Sequence, residues 1–214
     1  MTPDYFLLLL TGLPYTFAVT GGALLIGALF GFPLLLVRRS KVTILRWTAV
    51  MLIAVIRSIP PIVWIFLIFF SIGTGVFPIS PLSAALVGFG LIATANMAEI
   101  YRGALIAVHH GQTEAAQALN LSPFHTMWDV ILPQMVRVCL PVAATYAIGL
   151  LKDAAIASTI GVPDLTYQGR HITQMTLQGL SVMGSVGIIY VLISLPIAWI
   201  ARVTEAHIRK TVSL

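Results

Sequence analysis

The sequence predicts an all-α integral membrane protein with about five transmembrane helices. Only 9% of its 214 residues are charged, whereas ordinary soluble domains carry about a quarter, and the mean hydropathy is +0.98. Residues 5–37 and 58–98 contain no Asp, Glu, Lys, Arg or His. Each stretch exceeds the roughly 20 apolar residues that span a bilayer. We therefore expect a single transmembrane domain over residues 1–214.

The hydrophobic stretches predict helices at about residues 13–37, 43–72, 82–105, 135–151 and 180–202. A removable signal peptide would need basic residues before a short apolar core. Here the acidic Asp4 precedes the first apolar segment, and that segment is too long for a signal peptide. We therefore expect the first span to be retained.

Small residues and prolines distinguish the first two helices. Ala23, Gly27 and Gly31 recur at four-residue spacing in the first helix, which predicts close approach of another helix. Pro60 and Pro61 remove two backbone donors within the second span, so we expect it to bend or break there. Broken membrane helices often line cavities.

The distribution of basic residues predicts the orientation. With the N-terminus outside and the C-terminus in the cytoplasm, only Lys152 and Arg170 fall outside or within the membrane fold, and Arg57 lies inside a span. The other nine fall on the cytoplasmic side or at its edge: Arg38, Arg39, Lys41, Arg46, Arg102, Arg137, Arg202, Arg209 and Lys210. This asymmetry satisfies the positive-inside rule. The net charge of +5 is thus an orientation signal, and no nucleic-acid surface is expected.

The polar insert at residues 111–134 is then cytoplasmic. Residues 112–119 predict a short helix, and Asn120 is suited to a left-handed helix end. Ser122 and Pro123 are typical of a helix start, with Ser as N-cap and Pro at the first helical position. The sequence therefore predicts two short helices that meet at an angle.

An apolar stripe follows on the second of these helices. Phe124, Met127, Trp128 and Ile131 have the i, i+3, i+4, i+7 spacing of one helix face. Such a stripe in the cytoplasm either caps the membrane bundle or forms a docking surface for another protein. The residues alone leave both interpretations open.

The insert resembles the EAA loop of binding-protein-dependent ABC transporter permeases. In "EAAQALNLSPFHTMWDVILP", the family positions are occupied by Glu114, Ala115, Ala116, Val130, Leu132 and Pro133, whereas Asn120 replaces the usual Gly. "VIRSIPPIVWIF" and "ANMAEIYRGALIAVHHGQTEAA" are similar to neighbouring family segments. "LLKDAAIASTIGVPDLTYQG" resembles a segment of the polar amino acid uptake branch, so the resemblance covers nearly the whole chain.

The resemblance implies a MetI-like permease fold and a transport role without enzyme activity. The chain has no phosphate-binding loop of its own, so ATP and Mg would bind a partner, a cytosolic ATPase dimer. The ATPase-coupling residues implied by the family are Glu114, Ala115, Ala116, Leu119 and Asn120. A second permease subunit, an extracellular or periplasmic solute-binding protein and a prokaryotic inner membrane complete the expected assembly.

Polar residues in or beside the spans are candidates for the substrate passage, because unpaired charge is costly in a membrane and usually faces its interior. The candidates are Arg57, Ser58, Pro60, Asn96, Lys152, Asp153, Ala154 and Ala155. Lys152 and Asp153 could instead form a structural ion pair, and Glu99 with Arg102 is expected to be a local pair.

Ala154 and Ala155 depart from the uptake branch, which usually has Thr-Ser after Lys-Asp. The departure removes two hydroxyls that could bind solute. A heterodimer, in which the partner makes most solute contacts, is therefore favoured over a homodimer.

Other functional classes find less support in the residues. A secondary transporter acting without an ATPase would usually need more helices, often as an inverted repeat. A membrane enzyme would need a cluster of catalytic groups, which the spans lack. Cys139 is expected to be a small core residue, and the five histidines show no metal-ligand spacing.

Overall fold

The fold was obtained as a computed structural model, which describes residues 3–72 and 78–212. The described part is helical, and all five predicted spans have helices in their places. The helices are α1 (Pro3–Leu10), α2 (Leu13–Arg38), α3 (Thr43–Ser58), α4 (Pro61–Phe66, continued as a π-helix over Leu67–Ile72), α5 (Pro81–Ala107), α6 (His110–Ala118), α7 (Pro123–His125, continued as a π-helix over Thr126–Ile131), α8 (Leu132–Asp153, continued as a 3-10 helix over Ala154–Ile160), α9 (Leu165–Thr176) and α10 (Gly179–Val212).

Four of these helical stretches are long and apolar enough to cross a membrane, and the bent pair of α3 and α4 makes a fifth. The last candidate span ends at Val203, close to the predicted end at 202, and its helix continues to Val212. The side chains of Arg209 and Lys210 lie outside the described part of the chain.

Close packing of α2 on α5 forms the centre of the fold, as the small residues of the first span predict. A Cβ added to Gly27 would lie 2.6 Å from the Cβ of Ala93, and one added to Gly31 would lie 2.8 Å from that of Met97. Ala23 is fully buried in the same core. The two backbones can approach this closely only because the side chains between them are small.

The predicted break at the two prolines is also present. The axes of α3 and α4 differ by 99°. Pro60 has no N–H to donate to the carbonyl of Ile56, where a helix would continue. The indole Nε1 of Trp64 donates to that carbonyl instead, at 3.1 Å, so the break leaves the Ile56 carbonyl satisfied.

Two satellite cores mark the opposite ends of the bundle. Leu35, Ala104, Met135 and Cys139 pack together where α2 and α5 end and α8 begins, so the prediction of a buried core cysteine is confirmed. At the other end, α1 and α9 pack on α10 around Leu9 and other apolar side chains. The sequence analysis did not predict α1, α9 or the 3-10 turn.

Candidate coupling segment and passage

The insert forms a short helix, α6, whose start is fixed by its own side chains. Nδ1 of His109 accepts a hydrogen bond from the backbone N–H of Gly111 at 3.1 Å, so His109 is the N-cap. His110 Nδ1 and Glu114 Oε1 are 3.1 Å apart across one turn. Both contacts favour helix at the point where the chain leaves α5.

The end of α6 confirms the conformation expected for Asn120. Its φ is +55°. The N–H of Asn120 donates to Gln117 O at 2.9 Å, and the N–H of Leu121 donates to Ala116 O at 3.0 Å. This pair of bonds is the Schellman ending, in which the left-handed residue lets the chain turn sharply.

Ser122 starts the next helix in the predicted way. Its Oγ accepts from the N–H of His125 at 3.3 Å, and Pro123 occupies the first turn. The helix does not end within the insert, however. It runs through the π-helical segment into α8 (Leu132–Asp153), which occupies the fourth span predicted at about 135–151. The second helix of the insert and this span thus form one stretch over residues 123–160. The side chains of Gln134 and Gln112, 3.1 Å apart, also join α8 to α6.

The expected coupling residues differ in their exposure. Glu114 has 69% of its side chain exposed, Leu119 is 75% exposed, and Ala115 and Asn120 are exposed. Ala116 is only 2% exposed, because it lies on the side of α6 that packs on the following helix. Ala116 therefore supports the insert from within the chain.

One end of the apolar stripe is buried and the other is exposed, so each of the two interpretations that the sequence left open holds for part of it. Ile131 is buried against the bundle, whereas Phe124 is 65% and Trp128 51% exposed. The rings of Phe124 and Trp128 lie 5.9 Å apart. The stripe thus caps the membrane domain at one end and presents an aromatic surface at the other.

Among the expected passage residues, Arg57, Ser58 and Pro60 lie together at the break and are exposed. Ser58 Oγ donates to the carbonyl of Ala54 at 2.7 Å. Asn96 is half-buried on α5, and its Nδ2 donates to the carbonyl of Ile92 at 2.9 Å. The break therefore presents a guanidinium and a hydroxyl to the space beside α5.

Lys152 and Asp153 end α8, and both side chains are exposed. In the described part of the chain, neither lies within ion-pair distance of an opposite charge, which argues against a structural ion pair. Ala155 is half-buried, whereas Ala154 is 1% exposed and packs in the main core. Ala154 therefore presents no surface of its own in this chain, and its place in the passage stays a prediction.

Tyr146 joins this group, although the sequence analysis missed it. Its side chain lies beside Asn96 and within electrostatic range of Arg57 and Asp153. Its buried hydroxyl makes no hydrogen bond of good geometry to the protein. The available signal was a phenol in a membrane span seven residues before Asp153, which places both on one helix face.

A charge cluster lies at the other end of the same helices. Glu99 Oε2 and Arg102 Nε are 3.0 Å apart, as expected for a local pair. Arg38 of α2 also pairs with Glu99, which the sequence analysis did not predict. Two arginines thus share one carboxylate at the end that leads into α6. No group of three or more His, Cys, Asp or Glu suited to a metal occurs among residues 3–72 and 78–212.

Asp164 is a buried carboxyl on the opposite side of the bundle. Its Oδ1 accepts from the N–H of Tyr167 at 2.8 Å and caps α9, while its Oδ2 has no partner. Burial raises its pKa to about 7, although the Tyr167 N–H and the charge of Arg170 lower it. The backbone of Asp164 also fits closely on Gly12, where an added Cβ would lie 2.5 Å from its carbonyl carbon.

Comparisons with known proteins agree with this architecture. Residues 23–210 match the family described as "Binding-protein-dependent transport system inner membrane component". The chain is 36% identical over 171 residues to the probable amino-acid ABC transporter permease protein YckA of Bacillus subtilis, covering 78% of this chain and 76% of that protein. It is 34% identical over 190 residues to the glutamine transport system permease protein GlnP of Escherichia coli, covering 88% and 85%.

Solved structures show the same fold. An amino acid ABC transporter crystallised with histidines has a TM-score of 0.88 at 30% identity, covering 95% of each chain. The inward-facing methionine ABC transporter MetNI has a TM-score of 0.80 at 25% identity, covering 96% of this chain and 99% of that one. The chain therefore belongs to the family of inner membrane components of binding-protein-dependent transport systems and is a multi-pass permease with a MetI-like fold.

Proposed function

We propose that this chain is the transmembrane subunit of an ATP-driven importer for an amino acid or a related small polar solute. The relatives named as amino-acid and glutamine permeases support this solute class. Asn96 lies beside Tyr146, and Arg57 and Asp153 lie within electrostatic range of it, so the ammonium and the carboxylate of an amino acid could both find partners in this group.

The observation that carries the proposal is the continuity of the coupling segment with a membrane span. Exposed Glu114 and Ala115 lie on α6, and exposed Leu119 is its C-cap. The chain then turns at Asn120 into the helix over residues 123–160. That helical stretch carries Lys152 and Asp153 near its other end. A cytosolic ATPase dimer that binds α6 and closes on ATP and Mg would therefore displace a helix that reaches the passage.

The rest of the assembly follows from the same proposal. The N-terminus lies outside and the insert lies in the cytoplasm. A solute-binding protein delivers the solute from outside, and two permease subunits enclose the passage. We favour a heterodimer, because Ala155 offers no hydroxyl where the uptake branch usually has one and the partner would have to supply polar contacts.

The coupling role is tested by replacing Ala115 with Trp in the complete importer. A bulky side chain on the exposed face of α6 should prevent ATPase docking and reduce solute-stimulated ATP turnover at least about tenfold, because close-packed contacts do not tolerate extra volume. Ala206→Trp is the matched control, since Ala206 is exposed on α10 outside the insert. Unchanged turnover in the Ala115 variant would exclude docking at this face.

A further inference from the structure

Two cavities lie side by side at the end of the bundle that carries most basic residues. One has a volume of about 570 Å³ and lies between α2, α5, α8 and α10. The other has a volume of about 920 Å³ and lies between the end of α5, α6 and the helix that follows. Both volumes fall within the roughly 300–1,000 Å³ typical of small-molecule sites.

The first cavity is apolar along its whole length. Its lining on α8 runs from Leu132 to Ala147, a distance of about 22 Å along a helix. The lining includes a polar hydroxyl, that of Tyr101, which donates to the carbonyl of Ala28 at 3.1 Å. In a bilayer whose hydrocarbon core is about 30 Å thick, such a groove is complementary to an acyl chain.

The second cavity is basic. Arg39, Arg102, His109 and His110 line it, and no Asp or Glu is found among its lining residues within the described chain. Arg39 is exposed and makes no ion pair with any described residue. Such a cavity is complementary to an anion at the membrane surface.

Arg102 and His109 keep hydrogen-bond donors that can bind an anion in the basic cavity. Arg102 uses Nε on Glu99, which leaves the N–H groups of its two terminal nitrogens for another acceptor. His109 accepts at Nδ1 from Gly111, so its neutral ring carries the proton on Nε2 and can donate there. Glu99 is shared with Arg38, so the surrounding charge stays positive.

Residues that line the apolar cavity are next to residues that line the basic cavity in the sequence. Tyr101 and Leu132 belong to the apolar cavity, while their neighbours Arg102 and Ile131 belong to the basic one. We propose that these cavities together bind one anionic phospholipid, with its phosphate held by Arg39, Arg102 and His109 and an acyl chain in the groove between α2, α5, α8 and α10. The lipid would lie against the insert where α6 leaves the membrane.

The unmodified full chain provides the first test. After delipidation in detergent, it is titrated with dioleoyl phosphatidylglycerol or dioleoyl phosphatidylcholine, and the bound lipid is counted by native mass spectrometry. We expect one phosphatidylglycerol to bind at least about fivefold more tightly than phosphatidylcholine, as one or two arginines at a membrane surface allow. Equal affinity for the two lipids would overturn the proposal without the use of any variant.

Two variants test separately the binding of the lipid phosphate and the binding of its acyl chain. Arg39→Gln should lower the affinity for phosphatidylglycerol about fivefold and that for phosphatidylcholine by less, because the choline cation already offsets the charge of the phosphate. Arg46→Gln is its control, because Arg46 is an exposed cation that does not line either cavity. Ala144→Phe fills the apolar groove and should weaken binding of both lipids. Equal losses in the Arg39 and Arg46 variants would mean non-specific surface charge and would refute the site.

Inorganic phosphate distinguishes a lipid from a free anion. Because the acyl chain contributes to binding, millimolar phosphate should not displace phosphatidylglycerol. If phosphate displaces the lipid and Ala144→Phe has no effect, the basic cavity is a site for a soluble anion and the lipid proposal fails. If Arg39→Gln does not accumulate, the Ala144 variant, the phosphate competition and the two-lipid comparison still decide the question.

Discussion

Asn120 holds a left-handed backbone conformation at the turn between α6 and the helix that follows. Gly adopts this conformation without cost, whereas a β-branched side chain is strained there by roughly 1–3 kcal/mol. We expect Asn120→Gly to keep solute-stimulated ATP turnover in the assembled importer and Asn120→Val to reduce it. Thermal unfolding of the two variants would measure the strain directly. Equal stability and turnover of both variants would contradict this account of the turn.

Asp164 is predicted to make stability depend on pH. Its folded pKa of about 7 lies above the unfolded value of 3.8, so the folded protein keeps a proton that the unfolded chain releases. Stability is therefore highest below about pH 4, falls as pH rises to about 7 and stays level above that. Asp164→Asn keeps an N-cap oxygen and should remove this contribution, on the order of a few kcal/mol. Unfolding of both proteins in detergent from pH 4 to 8 tests this, and identical profiles would argue against it.

The conformations that the sequence predicted correctly depend on residues nearby in the sequence. Asn120, Ser122 and Pro60 act on backbone groups within four residues, so the local sequence is sufficient to predict them. The orientation of Ala154, the pairing of Arg38 with Glu99 and the approach of Tyr146 to Arg57 depend on how distant helices pack. No local pattern contains that information, and these were the points that the sequence analysis did not predict.

At the scale of elements, the break between α3 and α4 depends on a side chain that replaces a lost backbone donor. Trp64→Phe would keep most of the ring's packing but leave the carbonyl of Ile56 without its hydrogen bond. A buried unsatisfied carbonyl costs about 1–3 kcal/mol, so the midpoint of thermal unfolding in detergent should fall. Trp47→Phe is the control, because Trp47 is 53% exposed on α3. If the unfolding midpoint falls equally in both variants, the hydrogen bond from the Trp64 indole does not stabilise the break.

At the scale of the whole molecule, the candidate passage depends on polar residues of three helices, α3, α5 and α8. We expect Lys152→Ala, Asp153→Ala and Tyr146→Phe each to reduce solute uptake by proteoliposomes containing the complete importer, while ATPase association is kept. Lys41→Ala serves as the control, because Lys41 is an exposed cation in the turn between α2 and α3. By contrast, Ala154→Thr with Ala155→Ser should change solute preference little. Full uptake by the Asp153 and Tyr146 variants would place the passage elsewhere.

The helical stretch over residues 123–160 contains 38 residues, which corresponds to a length of about 57 Å, nearly twice the hydrocarbon thickness of a bilayer. This stretch packs on α2 and α5 through Met135 and Cys139 towards one end and through Leu150, Ala154 and Ala157 towards the other. If it moved as one body between these contacts, a pull on its inner end towards the molecular axis would swing its outer end away from that axis. Opening on one side and closing on the other would then be a single movement of a single body, and the chain would need no separate signal to keep both sides from opening together.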